Sequence, residues 1–122
     1  LFIVTKVRSG PSGVYRFPKD IGPASTAVLT HVGTVQPPQG VALITGGDAH
    51  PSGVLLRTYT NLFFYGFESG DIAASLAAEP CSVPKGFEVQ GETVAWAPDA
   101  QSYFTVSEGK AMPVYQTTCS AP

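Results

Sequence analysis

Apolar and polar residues alternate with a period of two along much of this chain, the spacing that places every second side chain on one face of a β-strand. Leu1 to Val7 reads as a strand and Val14-Tyr15-Arg16-Phe17 as its antiparallel neighbour, with Arg8-Ser9-Gly10-Pro11-Ser12-Gly13 as the turn between them. Pro18 to Ser25 is loop by composition. Ala27 to Val35 returns to β-branched residues at strand spacing, and Pro37-Pro38-Gln39-Gly40 forces another break. Leu1-Phe2-Ile3-Val4 starts as the inside of a strand, without the basic, apolar and small-residue regions of a signal peptide, so a mature product or a fragment is expected.

The segment from Val41 to Phe67 predicts three consecutive antiparallel strands. Pro51-Ser52-Gly53 turns the chain between the first two, because Pro presets φ and Gly accepts a positive one; Thr60-Asn61 separates the second from Leu62-Phe63-Phe64-Tyr65-Gly66-Phe67. Asp71 to Glu79 is Ala-rich, led by Ser69 and Asp71 and stopped by Pro80. It predicts a helix of about two turns, too short for the core. The strand pattern then recurs: Gly91 to Trp96, the turn Ala97-Pro98-Asp99-Ala100, Ser102 to Ser107, and Met112 to Gln116. The two turn prolines lie 47 positions apart, within the repeat length of a β-propeller blade. The expected fold is therefore all-β, made of four-stranded antiparallel propeller blades, with about two and a half blades in the chain. Residues 1–35 would be a partial blade, 41–84 a full one with the short helix before its outer strand, and 90–117 a second partial one. Because a blade buries both faces only between neighbours, the remaining blades are expected from the same precursor or from symmetry-related copies.

Thr45-Gly46-Gly47-Asp48-Ala49-His50-Pro51-Ser52-Gly53 and Trp96-Ala97-Pro98-Asp99-Ala100 resemble the strand-turn-strand signature of secreted bacterial β-propellers, whose inner hairpin often carries a Ser-Pro-Asp-Gly-like turn. His50, Ser52 and Ala100 depart from it. The resemblance spans roughly residues 41–117 and implies a ring of about six to eight blades in a secreted or periplasmic setting. Gly91-Glu92 and Ser107-Glu108-Gly109 are similar to acidic positions of phytase-like and esterase-like propellers, some of which bind calcium near the central channel. That likeness implies Glu92 and Glu108 as metal or channel residues, calcium as the cofactor, and hydrolysis of phosphoric or carboxylic esters as the activity.

Composition narrows the choice of partner. Charged residues make up only 13% and the net charge is −2 with no Lys/Arg run, which argues against a nucleic-acid groove. No apolar stretch is long enough to predict a membrane-spanning helix. Cys81 and Cys119 are too few for a structural zinc site. Their preferred reading is one disulfide in an exported protein, tying the last strand back; two free thiols are the alternative.

Side chains that carry chemistry are sparse. There is no Gly-x-Ser-x-Gly elbow, and the two histidines, His31 and His50, sit in a strand and beside a turn proline, so no nucleophilic triad is expected. Asp48, Glu92 and Glu108 would form an oxygen-ligand set if their blades met at an axis; Asp48, Asp20 and Asp99 also suit ordinary turn roles. Arg57, set among Leu55, Leu56 and Tyr59, is either paired with a carboxylate such as Asp48 or exposed to recognise an anion, which makes Arg57 and Asp48 the candidate ligand-binding pair. Trp96 and most of the other aromatics are assigned to packing between sheets. Three functions stay open: non-catalytic recognition of a ligand or protein, a calcium-dependent ester hydrolase, and a purely structural module.

Overall fold

A computed structural model describes residues 1–38, 43–67 and 70–119. The described residues form ten strands and one short helix: β1 (Phe2–Val4), β2 (Ser12–Arg16), β3 (Thr30–Val35), β4 (Ile44–His50), β5 (Gly53–Thr58), β6 (Leu62–Gly66), α1 (Ile72–Leu76), β7 (Cys81–Ser82), β8 (Gly91–Trp96), β9 (Ser102–Ser107) and β10 (Val114–Thr118). They make three antiparallel sheets: β1-β2-β3, then β4-β5-β6-β7, then β8-β9-β10. Gln39, Gly40, Val41 and Ser69, which the sequence assigns to a break, a strand start and a helix lead, lie outside the described residues.

Packing follows from the alternation of side chains along the middle sheet. Val54 and Leu56 of β5, with Phe63 and Tyr65 of β6, meet Val14 and Val35 of the first sheet, Ile44 and Leu76; Phe2 and Val4 pack against the same cluster. Leu55 and Leu62 point the other way, to Val94 and Tyr103 of the third sheet, with Phe64, Val83 and Trp96 at their margin. The middle sheet is thus enclosed on both faces, and all six residues of β5 are buried. That is why β5 reads as a continuous apolar run while strands with one open face alternate. Each fully enclosed Leu, Val or Phe here contributes roughly 1.5–3 kcal/mol relative to exposure.

Boundaries shift where tertiary pairing is missing. The β-branched run at 27–35 becomes a strand only from Thr30; Val28 is 91% exposed and no described strand pairs with it. Helix α1 is shorter than the Ala-rich stretch. Asp71 caps it, its carboxylate accepting from Ala73 N–H at 2.9 Å. Short as it is, α1 does reach the core, contrary to expectation: Leu76 is buried between the first and middle sheets.

One expectation is overturned. Cys81 and Cys119 are free and exposed, and no bridge joins them. Cys81 belongs to β7, opposite Phe64 in the middle sheet, whereas Cys119 follows β10 and donates its N–H to Gln101 O at 2.7 Å in the third. Each is held in its own ladder, so the last strand is tied down by backbone hydrogen bonds, and the oxidising compartment inferred from a bridge loses that support. No helix among the described residues is long and apolar enough to cross a membrane.

Candidate functional site

A cleft of about 530 Å³ lies between β1 of the first sheet and β4 of the middle one. Phe2, Val4, Ile44, Val54, Leu56 and Leu76 give it an apolar floor, continuous with the core between these two sheets. Lys6, Thr45 and Asp48 bring polar atoms to its margin.

Glycines make this arrangement possible. A Cβ on Gly46 would approach Glu92 O to 2.6 Å, so only glycine lets β4 lie this close to β8; a Cβ on Gly47 would meet Leu56 Cδ2 at 2.7 Å on the other face. Two side chains use the close approach. Thr45 Oγ1 donates to Gly91 O at 2.7 Å, and Asp48 Oδ2 accepts from Trp96 N–H at 2.8 Å while its Oδ1 accepts from Ala49 N–H at 2.9 Å.

At the mouth, Lys6 Nζ donates to Tyr59 Oη at 2.7 Å, lies 4.7 Å from the centre of that ring, and stands 3.5 Å from Glu92 Oε1. The hydrogen bond to Tyr59 holds the Lys6 ammonium above its ordinary pKa; partial desolvation opposes this and the Glu92 carboxylate assists it. Lys6, Tyr59 and Glu92 come from the three different sheets or their exits, so one exposed cation laces them together at the start of β4.

The residues singled out from sequence are scattered. Asp48 lines the cleft and Glu92 reaches its rim through Lys6. Arg57 is completely enclosed between the middle and third sheets; its guanidinium pairs with Glu88, not Asp48, and donates to Thr93 O at 3.0 Å. Gly91 is required beside it, since any Cβ there would overlap the guanidinium. Glu108 sits in the turn after β9, accepting from Gln90 Nε2 at 2.7 Å. Among the described residues no group of three or more His, Cys, Asp or Glu side chains lies close enough to hold a metal ion. His31 packs edge-on against Tyr15, and His50 contacts Ser52 and faces Trp96.

A second, almost wholly apolar hollow of about 270 Å³ lies between the middle and third sheets, lined by Leu55, Phe64, Val83, Trp96 and Tyr103. Burial pushes the Tyr103 hydroxyl up in pKa, and this group donates to Pro84 O at 2.5 Å.

Sequence reasoning missed Lys6, Tyr59, Thr45 and Glu88. For Glu88 a signal existed: it alternates with Phe87 and Val89. The polarity is inverted in the fold, however, with Glu88 buried while Phe87 and Val89 are 88% and 80% exposed.

Comparison of the chain with family models, with curated proteins and with solved structures finds no match.

Proposed function

We propose that the chain supplies adjoining blades of a β-propeller whose role is recognition of another polypeptide and not catalysis. The observation that carries this reading is the way successive inner strands meet. β4 and β8 lie close against one another, linked by Thr45 to Gly91 and by Asp48 to Trp96, pairs 46 and 48 positions apart that bracket the 47-residue step of the sequence repeat. Inner strands of neighbouring blades around an axis would meet in this manner. The middle sheet, covered on both faces, supports the same reading.

Two further faces await neighbours. Ile3 and Tyr15, paired across β1 and β2, are turned away from the core on the first sheet; Phe104, Val106 and Val114 are turned away on the third. Val114 is 67% exposed. In a propeller both faces would lie against further blades, from the same polypeptide or from other copies. Recognition is favoured over hydrolysis because the polar groups beside the cleft are engaged with one another or with backbone, and the cleft's floor is apolar.

Sedimentation of the chain over a range of concentrations tests the blade reading. The expected result is self-association through these outer faces, abolished by Val114→Glu, which puts a charge on an exposed position and leaves the melting temperature unchanged. A monomer at every concentration, in both forms, would overturn it.

A further inference from the structure

Residues 83–90 join β7 to β8 as an extended strap, and alternate members of it are held inward. Pro84 O accepts from Tyr103 Oη, and Gly86 lies so close to the Tyr115 ring that a Cβ would collide with it. Glu88 pairs with the enclosed Arg57. Gln90 N–H donates to Ser107 Oγ at 3.1 Å, and that hydroxyl donates to Gln90 O at 2.9 Å. The period-two alternation of extended chain therefore turns Lys85, Phe87 and Val89 outward, and Phe87 and Val89 are almost wholly exposed. A buried ion pair gives little net stability, so the fold gains little by taking Glu88 in and leaving Phe87 out. What the strap achieves is an aromatic side chain held in solvent on a fixed backbone, which reduces the ordering entropy lost on binding.

A receptor for such a ring exists on the same molecule. In the apolar hollow of about 270 Å³ between the middle and third sheets, Leu55 and Tyr103 are buried, and Ser52 and Cys119 are exposed at its mouth. An apolar cavity of about 150 Å³ is enough for a benzene ring, so the hollow has room for a phenylalanine side chain. Phe64 and Tyr103 both stand edge-on to Trp96, with ring centres 6.0 and 5.9 Å from it, and a further ring would extend these favoured contacts. Phe87 of the same chain does not fill the hollow, being exposed.

Charge is complementary around the two features. Lys85, two positions from Phe87, donates to Gly86 O at 3.2 Å, and no carboxylate pairs with it among the described residues. Asp99 adjoins Ala100 at the edge of the hollow; its Oδ1 accepts from Gln101 N–H at 3.0 Å, and among the described residues no cation pairs with it.

We propose that a second copy of this chain docks at the hollow: Phe87 of one molecule enters the aromatic hollow of another, and Lys85 beside it meets Asp99 at the rim. Every copy carries both halves, so the contact joins unlike surfaces and can be broken on either one separately. It does not use the outer sheet faces and does not rest on the blade reading. One projecting side chain buries far less than the roughly 1,200 Å² of a standard interface, so the contact is weak and is followed at about 0.1–1 mM.

Trp96 is the single tryptophan, so its indole N–H gives one resonance that reports on the hollow. The labelled molecule is the full chain carrying Phe87→Ser, which keeps the hollow and lacks the ring; every molecule in the experiment also carries Val114→Glu, which keeps the outer face of the third sheet out of the measurement. Adding unlabelled chain with Phe87 intact is expected to shift the Trp96 signal saturably, and adding unlabelled Phe87→Ser is expected to leave it in place. Lys85→Glu in the unlabelled chain is expected to weaken binding about threefold or more, with recovery when the labelled chain also carries Asp99→Lys. An unmoved Trp96 signal at about 1 mM added chain, or an equal shift from the Phe87→Ser chain, overturns the proposal. So does an equal shift from the same concentration of N-acetylphenylalanine amide, which would make the hollow a site for any free aromatic ring. Absence of the Asp99→Lys rescue overturns the second copy as occupant, because the charge pairing is what selects it. Each of these outcomes leaves Val114-dependent assembly, and with it the blade reading, to its own test.

Discussion

Arg57 carries a charge into the interior, and among the described residues Glu88 is the carboxylate that answers it there: both side chains are at most 1% exposed. The pair is not saturated, since Arg57 Nε and Glu88 Oε1 have no hydrogen-bond partner among the described residues. A buried pair of this kind adds little net stability over an apolar replacement, but removing one member strands the other charge at a cost of about 3–5 kcal/mol. Urea unfolding of Glu88→Ala should show a loss of that order, and Arg57→Met combined with Glu88→Leu should recover most of it. Equal losses in the single and double variants would contradict this coupling. Tyr65 makes a second residue-scale case. Its hydroxyl is enclosed without a hydrogen-bond partner among the described residues, and burial, helped by the nearby Glu79 carboxylate, pushes its pKa up to about 12 from 10.0. The folded state therefore holds the proton more tightly than the unfolded chain, so this contribution to stability is complete below pH 10 and is lost as pH rises toward 12. Tyr65→Phe should flatten the fall in melting temperature over that interval. At neutral pH it should be neutral or stabilising by up to about 1 kcal/mol, because a buried unpaired hydroxyl is removed.

At the scale of elements, Asp48 is central to the joint between β4 and β8. Its carboxylate takes two backbone N–H groups, one from its neighbour Ala49 and one from Trp96 across the sheet boundary. Hydrogen bonds to a charged acceptor contribute about 1.5–3 kcal/mol, so Asp48→Ala should destabilise by about that amount. Trp96 is the chain's single tryptophan, which makes its fluorescence a direct reporter of the contact; an unchanged emission maximum in Asp48→Ala would argue that the strands stay together without the carboxylate. Elements of this kind were legible in part. Strand and turn positions around Pro51 and Pro98 could be read because the Gly and Pro punctuation is local. The sheet-to-sheet partners could not: Arg57 is 31 positions from Glu88, and Lys6 is 53 from Tyr59, and nothing in the spacing links them. The disulfide reading failed for the same reason, because two cysteines in loop-like sequence say nothing of which ladder each one joins. Glu88 lies buried between the exposed Phe87 and Val89, the reverse of what its flanking apolar residues suggest, because the buried Arg57 draws the carboxylate inward.

For the molecule as a whole, the question left by the acidic residues is whether the three sheets gather them or divide them. They divide them. Glu92 is drawn to Lys6 at 3.5 Å, Glu108 accepts from Gln90 at 2.7 Å, and Asp48 is committed to two backbone donors. Calcium asks for six to eight oxygen ligands, so collecting these carboxylates around one ion would mean breaking an ion pair and the bond that holds β4 to β8. A ligand that binds only the folded state raises stability in proportion to the logarithm of its concentration over its dissociation constant, which makes thermal melting a sensitive check. Millimolar calcium should therefore leave the melting temperature of the chain within about one degree of its value in chelator, and Glu92→Gln should respond to calcium no differently from the native sequence. A calcium-dependent rise of several degrees, lost in Glu92→Gln or Glu108→Gln, would restore the hydrolase-like reading against recognition. Lys6 supplies the internal control: Lys6→Met frees the Glu92 carboxylate, so a calcium response that appears only in that variant would identify the ion pair, and not the sheet geometry, as what keeps the cation out.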